Sequence, residues 1–168
     1  MPSHRIFVGK DVHKFSSAHM TVFPDGSKER IHGHNFQVSV AFDLHTTALA
    51  QLLDFAVVKR TLVELCEAWD QRLLLAAHCP AYELISRTDA DFEFRLAGKR
   101  YVIPTEEVLL LPLENIVVET LAEAFTHVLV TRLGVVLQRE VVAAVTVTIC
   151  ESGNQGGSFT WAWDGPGA

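Results

Sequence analysis

His19, His32 and His34 stand in the spacing H-x12-H-x-H, and two of them lie in the tetrapeptide His32-Gly33-His34-Asn35. Residues 36–42, FQVSVAF, read as a strand. Alternate residues of a strand point to the same side. A strand that starts early enough therefore offers the imidazoles of His32 and His34 on one face. His19 closes the segment FSSAHM, and a paired strand would let it supply a third nitrogen. Three protein ligands with an open fourth position make a catalytic zinc site, whereas structural zinc sites are usually closed by four. The chain has eight histidines, and most histidines bind nothing. His4, His13, His45 and His127 read as ordinary surface or helix residues.

The bulk composition narrows the classes. At 168 residues with 49% hydrophobic content, the chain is long and apolar enough for a real core. Its formal net charge is −6 and no basic run stands out, which disfavours nucleic acid as a partner. No stretch of ~20 uncharged apolar residues exists to span a membrane. The segment MPSHRIFVGKD lacks the apolar core of a signal peptide. Cys66, Cys79 and Cys150 are odd in number and lack CxxC spacing, which suits a reducing compartment. The expectation is a cytoplasmic protein with no membrane partner.

The elements that must carry the histidines follow from periodicity. Residues 5–18 read as a first strand, 24–30 (PDGSKER) as a turn-rich loop, and 35–43 as a second, antiparallel strand. Residues 44–53 form a connection with weak helical character. Asp54 is a plausible N-cap for a helix running to about Trp69. Val58, Leu62, Leu65 and Trp69 follow the spacing of one buried helix face. Residues 70–90 read as irregular, interrupted by Pro80. Phe92–Leu96 and Arg100–Ile103 read as a hairpin through Ala97-Gly98-Lys99. A second helix spans Val118–Leu133 and stops at Gly134. Val141–Glu151 reads as a β-branched strand, 154–157 (NQGG) as a turn, and Ser158–Trp163 as a final strand. Two hairpins with helices between them suggest an antiparallel sheet covered on one face by helices.

Taken in order, these segments resemble the 6-pyruvoyl-tetrahydropterin synthase and 6-carboxytetrahydropterin synthase family. The residues that carry the resemblance begin with Phe15-Ser16-Ser17-Ala18-His19 and His32-Gly33-His34-Asn35-Phe36. They continue with Leu53-Asp54-Phe55, Trp69-Asp70-Gln71-Arg72 and residues 115–122 (NIVVETLA), and end with Thr148-Ile149-Cys150-Glu151. The resemblance implies an α+β tunnelling fold: a four-stranded antiparallel sheet with two helices on one face, oligomerising into a β-barrel as a trimer or hexamer. It implies one pterin-synthase-like domain over 1–168, with an inserted hairpin region at about 90–110. It also implies Zn2+ on His19, His32 and His34, and a small-molecule 7,8-dihydropterin substrate.

The resemblance further implies roles for four acids. Family members commonly place a catalytic cysteine four residues before the HGH. Lys28 stands there, and Glu29 follows it. This resembles the subgroup in which a glutamate replaces the cysteine and the side chain is cleaved to 6-hydroxymethyl-7,8-dihydropterin. Glu29 is thus the expected base; otherwise it is one more charge in a solvated loop. The usual Asp-His pair is Asp70-Gln71, which keeps the acid but loses a proton shuttle, because an amide can hydrogen-bond without titrating. Asp70 is the second expected catalytic residue, and His78 a remote substitute for the missing histidine. Glu151 stands where the family anchors its pterin, since a carboxylate can pair with the 2-amino group and ring N–H together. Glu119 matches a further pterin contact or, equally, a charge favoured by a helix N-terminus. Lys28 and Arg30 could meet a substrate phosphate. The leading expectation is a zinc-dependent lyase on 7,8-dihydroneopterin (tri)phosphate in pterin biosynthesis. The alternatives are a 6-carboxy- or 6-pyruvoyl-tetrahydropterin synthase, or a non-catalytic binder of zinc and pterin.

Overall fold

Long β-branched and aromatic strands with period-two burial build the centre of the molecule. In the computed structural model, residues 4–48, 52–153 and 155–163 are described. The strands in chain order are β1 (His4–Val8), β2 (Lys14–His19), β3 (His32–Leu44), β4 (Arg72–Ala76), β5 (Tyr82–Arg87), β6 (Asp91–Leu96), β7 (Lys99–Pro104), β8 (Val108–Leu111), β9 (Val142–Ser152) and β10 (Gln155–Ala162). The helices are α1 (Phe55–Trp69) and α2 (Val118–Leu133).

β3 is the spine. It pairs antiparallel with β9 on one side, and on the other with β2 along its first half and β1 along its second. β10 pairs antiparallel with β9. The expected first strand over 5–18 is therefore two strands, broken between Val8 and Lys14, that together fill one place beside β3. Gly9 and the turn at Asp11-Val12 break it. His13, expected at the surface or in a helix, is buried in this break, where its Nδ1 accepts the Lys10 N–H at 3.3 Å. With β1 and β2 counted as one broken strand, the four-stranded antiparallel unit is complete. β4 and β8 extend the sheet beyond β2 in parallel.

Both helices cover the same apolar face. Asp54 caps α1 by accepting the N–H groups of Ala56 and Val57, and Val58, Leu62, Leu65 and Trp69 are buried. α2 packs on β9, β10 and α1. Phe15 (β2) and Phe36 (β3) stack at 5.0 Å, and Trp69 (α1) and Phe125 (α2) close over them at 5.5 and 6.4 Å from Phe15. This aromatic cluster locks both helices to the sheet next to the histidines.

Residues 70–90 are not irregular: they hold β4 and β5. β4 is a buried run, Leu73-Leu74-Leu75-Ala76, too short for periodicity to classify. The chain enters it through Gln71 at φ +54°, whose N–H donates to the Ser16 carbonyl at 2.7 Å. Glutamine gives no turn signal, so this sharp exit from α1 is invisible in the sequence. β5, β6 and β7 form a separate antiparallel sheet. Its β6–β7 hairpin turns at Ala97 and Gly98, both with positive φ. Residues 45–48 and 52–54 show no helix, and the remainder of the expected weak helix lies outside the described residues. So does Asn154; Gln155, Gly156 and Gly157, expected in a turn, open β10.

Candidate metal and pterin site

Three strands each carry an apolar face that changes to ligand chemistry at the same end of the sheet. On β3, Phe42, Val40, Val38 and Phe36 are buried, and the same parity continues to His34 and His32. On β2 the series is Phe15, Ser17, His19, and on β9 it is Val145, Val147, Ile149, Glu151. Period-two geometry thus aims all four polar side chains at the helix-covered side. His19 and His32 are direct cross-strand partners.

The three imidazoles form a cluster. One ligand atom from each of His19, His32 and His34 lies within 4.8 Å of the others. Ring centroids are 4.5 Å apart for His19–His32, 5.3 Å for His19–His34 and 5.0 Å for His32–His34. His19 is buried, and neither of its ring nitrogens has a hydrogen-bond partner. A buried polar atom left unpaired is costly, and a metal in the cluster would satisfy it. Burial first, then the neighbouring His32 and His34, lowers the His19 pKa; the Ile116 carbonyl and Glu29 oppose this only in part. His19 is therefore held neutral, the form that ligates. The Nδ1 of His32 lies 2.9 Å from the Arg30 carbonyl. Donation there leaves Nε2 as the free lone pair, the kind of outer contact that orients metal-binding histidines. The residues present fit a zinc ion: three nitrogen ligands with room for a fourth.

Glu29 stands beside them. Its Oε2 is 3.9 Å from His32 Nε2. Thr21 grips it twice: the Thr21 N–H donates to Oε2 at 3.3 Å, and the Glu29 N–H donates to the Thr21 carbonyl at 2.9 Å. Burial raises the pKa of Glu29, but the Thr21 hydrogen bonds, helped by the neighbouring His32 and His19 imidazoles, outweigh it and leave it below the usual carboxylate value. Glu151 approaches from β9, with its Oε2 3.7 Å from His34 Nε2.

The start of α2 closes the cavity. His19, Thr21, Glu29, His32, His34, Val117, Val118, Glu119, Glu151 and Gln155 line a space of about 320 Å³. A Cβ at Gly157 would lie 2.8 Å from the Glu119 nitrogen and 2.9 Å from the Val118 carbonyl carbon. Only glycine lets β10 approach α2 this closely. Thr120 Oγ1 donates to the Asn115 carbonyl and accepts the Val117 N–H, closing the first turn. Asn115 in turn pairs with both backbone groups of Val22, which ties α2 to the segment carrying Thr21.

This geometry can be set beside known proteins. The family model for 6-pyruvoyl tetrahydropterin synthase matches residues 9–161. The chain belongs to that family. A putative 6-carboxy-5,6,7,8-tetrahydropterin synthase of Methanocaldococcus jannaschii is 33% identical over 123 residues, covering 71% of this chain and 73% of the relative. The crystal structure of Plasmodium vivax 6-pyruvoyl tetrahydropterin synthase superposes with a TM-score of 0.87 at 20% identity, over 97% of this chain and 100% of that one. A variant of the Plasmodium vivax protein, in which a catalytic glutamate is replaced by alanine, gives 0.87 at 19% identity over the same shares. These likenesses bear out the α+β fold. Membership places the chain among the lyases of pterin biosynthesis.

Of the residues that family resemblance singles out, the structure brings six to one cavity: His19, His32, His34, Glu29, Glu119 and Glu151. It does not bring Asp70. Asp70 follows α1, where its Oδ1 accepts the Ser16 N–H at 2.6 Å. Gln71 lines a neighbouring groove with Ser16, Gly33 and Asn35, which shares only His34 with the cavity. His78 is exposed, with its N–H bonded to the Leu113 carbonyl. Lys28 and Arg30 flank Glu29 in sequence but do not line the cavity. Thr21 and Gln155 do, and sequence reasoning passed over both. Thr21 lies two residues after His19, so strand parity was the available signal.

Proposed function

We propose that this chain is a zinc-dependent lyase acting on the side chain of 7,8-dihydroneopterin (tri)phosphate and releasing 6-hydroxymethyl-7,8-dihydropterin. The observation that carries the reading is the Glu29 carboxylate, held by Thr21 within 3.9 Å of His32 in the cavity that also contains Glu151. His19, His32 and His34 would hold the zinc. Bound there, zinc would supply Lewis-acid polarisation of the substrate's side-chain oxygens.

Glu151 accepts the 2-amino and ring N–H groups of the pterin and sets its orientation. Glu119 and the first turn of α2 border the ring. Glu29 accepts the proton of the hydroxyl on the second side-chain carbon. That oxygen becomes a carbonyl as the bond between the first and second side-chain carbons breaks. The electron pair stays on the first carbon, conjugated with the ring C=N, and the proton returns to that carbon from Glu29. The products are the hydroxymethyl pterin and an aldehyde fragment. The catalytic glutamate of the Plasmodium vivax protein supports a carboxylate as base in this family.

Asp70 does not line the cavity of its own chain, so it enters this reading only as a group supplied by a neighbouring copy. The reading accordingly includes a homo-oligomer, a trimer or hexamer, built through exposed strand edges. Formation of 6-carboxytetrahydropterin is the second reading, favoured by the Methanocaldococcus jannaschii relative. Incubation with dihydroneopterin triphosphate, and separately with dihydroneopterin, followed by product identification, decides between them. The expected product is the 6-hydroxymethyl pterin. A 6-carboxy product would replace this reading with the second, and unchanged substrate with zinc bound would leave a non-catalytic binder.

A further inference from the structure

Lys28 occupies the position next to the proposed base, yet its ammonium turns away from the histidines. Nζ donates to the Glu29 carbonyl at 2.9 Å and to Met20 Sδ at 3.3 Å. It also sits over the ring of Tyr101, 5.2 Å from the centroid. A carbonyl, a thioether and a ring face are all neutral partners, so this lysine is engaged as a clamp rather than in an ion pair. Met20 is buried directly after His19. One ammonium therefore joins the end of β2, the backbone of Glu29 and strand β7.

The ring it rests on is rooted. Tyr101 stacks on Phe94 at 5.0 Å with the planes 15° apart. Phe94 is fully buried and meets Phe92 and Tyr82 at 6.0 Å each. The separate β5–β6–β7 sheet thus presents a fixed aromatic face to the loop that carries Glu29. The Val22–Lys28 bridge and the Thr21 contacts hold the other side of that loop.

We propose that Lys28 and Tyr101 form a positioning pair through which the β5–β7 sheet sets the backbone, and so the carboxylate, of Glu29. This rests on the reading of Glu29 as base. It gives the inserted sheet a part in the reaction without any contact to substrate. Small displacements of a reacting group cost rate more than affinity, and a cation over an aromatic face needs the face, not the hydroxyl.

The test uses the full-length, zinc-loaded chain with dihydroneopterin triphosphate. Lys28→Met and Tyr101→Leu are each expected to lower kcat by roughly tenfold, with KM and zinc content unchanged. Tyr101→Phe and Lys28→Arg are expected to retain most of the rate. The Lys28→Met/Tyr101→Leu double variant is expected to lose no more than either single one, because the two act as a unit. Additive losses, a change in KM alone, or no rescue by Tyr101→Phe would overturn the pairing. If Tyr101→Leu does not fold, the comparison of Lys28→Met with Lys28→Arg decides by the same criteria. Glu29→Gln separates the two layers. If it turns over at the parent rate, the base assignment fails; if it is inactive while Lys28→Met is fully active, only the positioning pair fails.

Discussion

At the scale of single residues, the site is a set of strand positions of one parity. H-x12-H-x-H was legible because His32 and His34 continue the face of Phe36 and Val38, and because β2 returns His19 directly opposite His32. Glu151 was legible for the same reason, two residues beyond Ile149. Asp70 lies outside the cavity of a single chain, and nothing in its sequence neighbourhood reveals that its carboxylate accepts the Ser16 N–H. Two predictions belong here. Glu29→Gln keeps charge-independent packing but removes the proton acceptor; kcat is expected to fall by about a hundredfold or more, with zinc content by metal analysis unchanged. Glu151→Ala removes two charge-assisted acceptors from a half-buried position. Pterin affinity, read by fluorescence titration, is expected to weaken by roughly tenfold to a hundredfold, again with zinc retained. Zinc lost from either variant would mean that the carboxylate belongs to the metal site.

At the scale of elements, both helices could be read because caps and buried stripes agree: Asp54 with Val58, Leu62 and Leu65, and Gly134 after Leu133. β4 and β5 could not. β4 is one arginine and four buried apolar residues between a glutamine turn and a proline loop, and β5 is almost wholly exposed. Gly156 and Gly157 were misread because a glycine pair signals a turn as readily as a close approach. Here the approach is decisive. A Cβ at Gly157 would strike the backbone of Val118 and Glu119, and backbone cannot step aside as a side-chain tip can. Gly157→Ala is expected to lever the start of α2 off β10, costing about 1–3 kcal/mol. Since the histidines lie on β2 and β3, zinc content should persist while pterin affinity falls. Loss of both together would mean that α2 and the metal cluster are one cooperative unit.

At the scale of the whole molecule, the histidine cluster sits where three strands, one helix and a loop converge, so a metal bound there should be felt throughout the fold. His19 is the pivot. It is buried with both ring nitrogens unpaired, and a metal ion bound in the cluster would take the lone pair of one of them. A ligand that binds only the folded state stabilises it by about 2.7 kcal/mol at a hundredfold excess over its dissociation constant. For a domain of this size, that corresponds to a rise in thermal midpoint of roughly 5–10 °C. Chelation of purified protein is therefore expected to lower the midpoint by that amount, and zinc to restore it. His19→Ala removes both a ligand and the unpaired nitrogens. Its midpoint should be insensitive to chelator, and its apo form should approach the stability of the apo parent rather than fall well below it. A His19→Ala variant that is severely destabilised without metal would show instead that His19 is chiefly a packing residue against Phe36, whose ring lies 6.0 Å away. Equal chelator sensitivity in parent and variant would place the stabilising metal somewhere other than these three histidines.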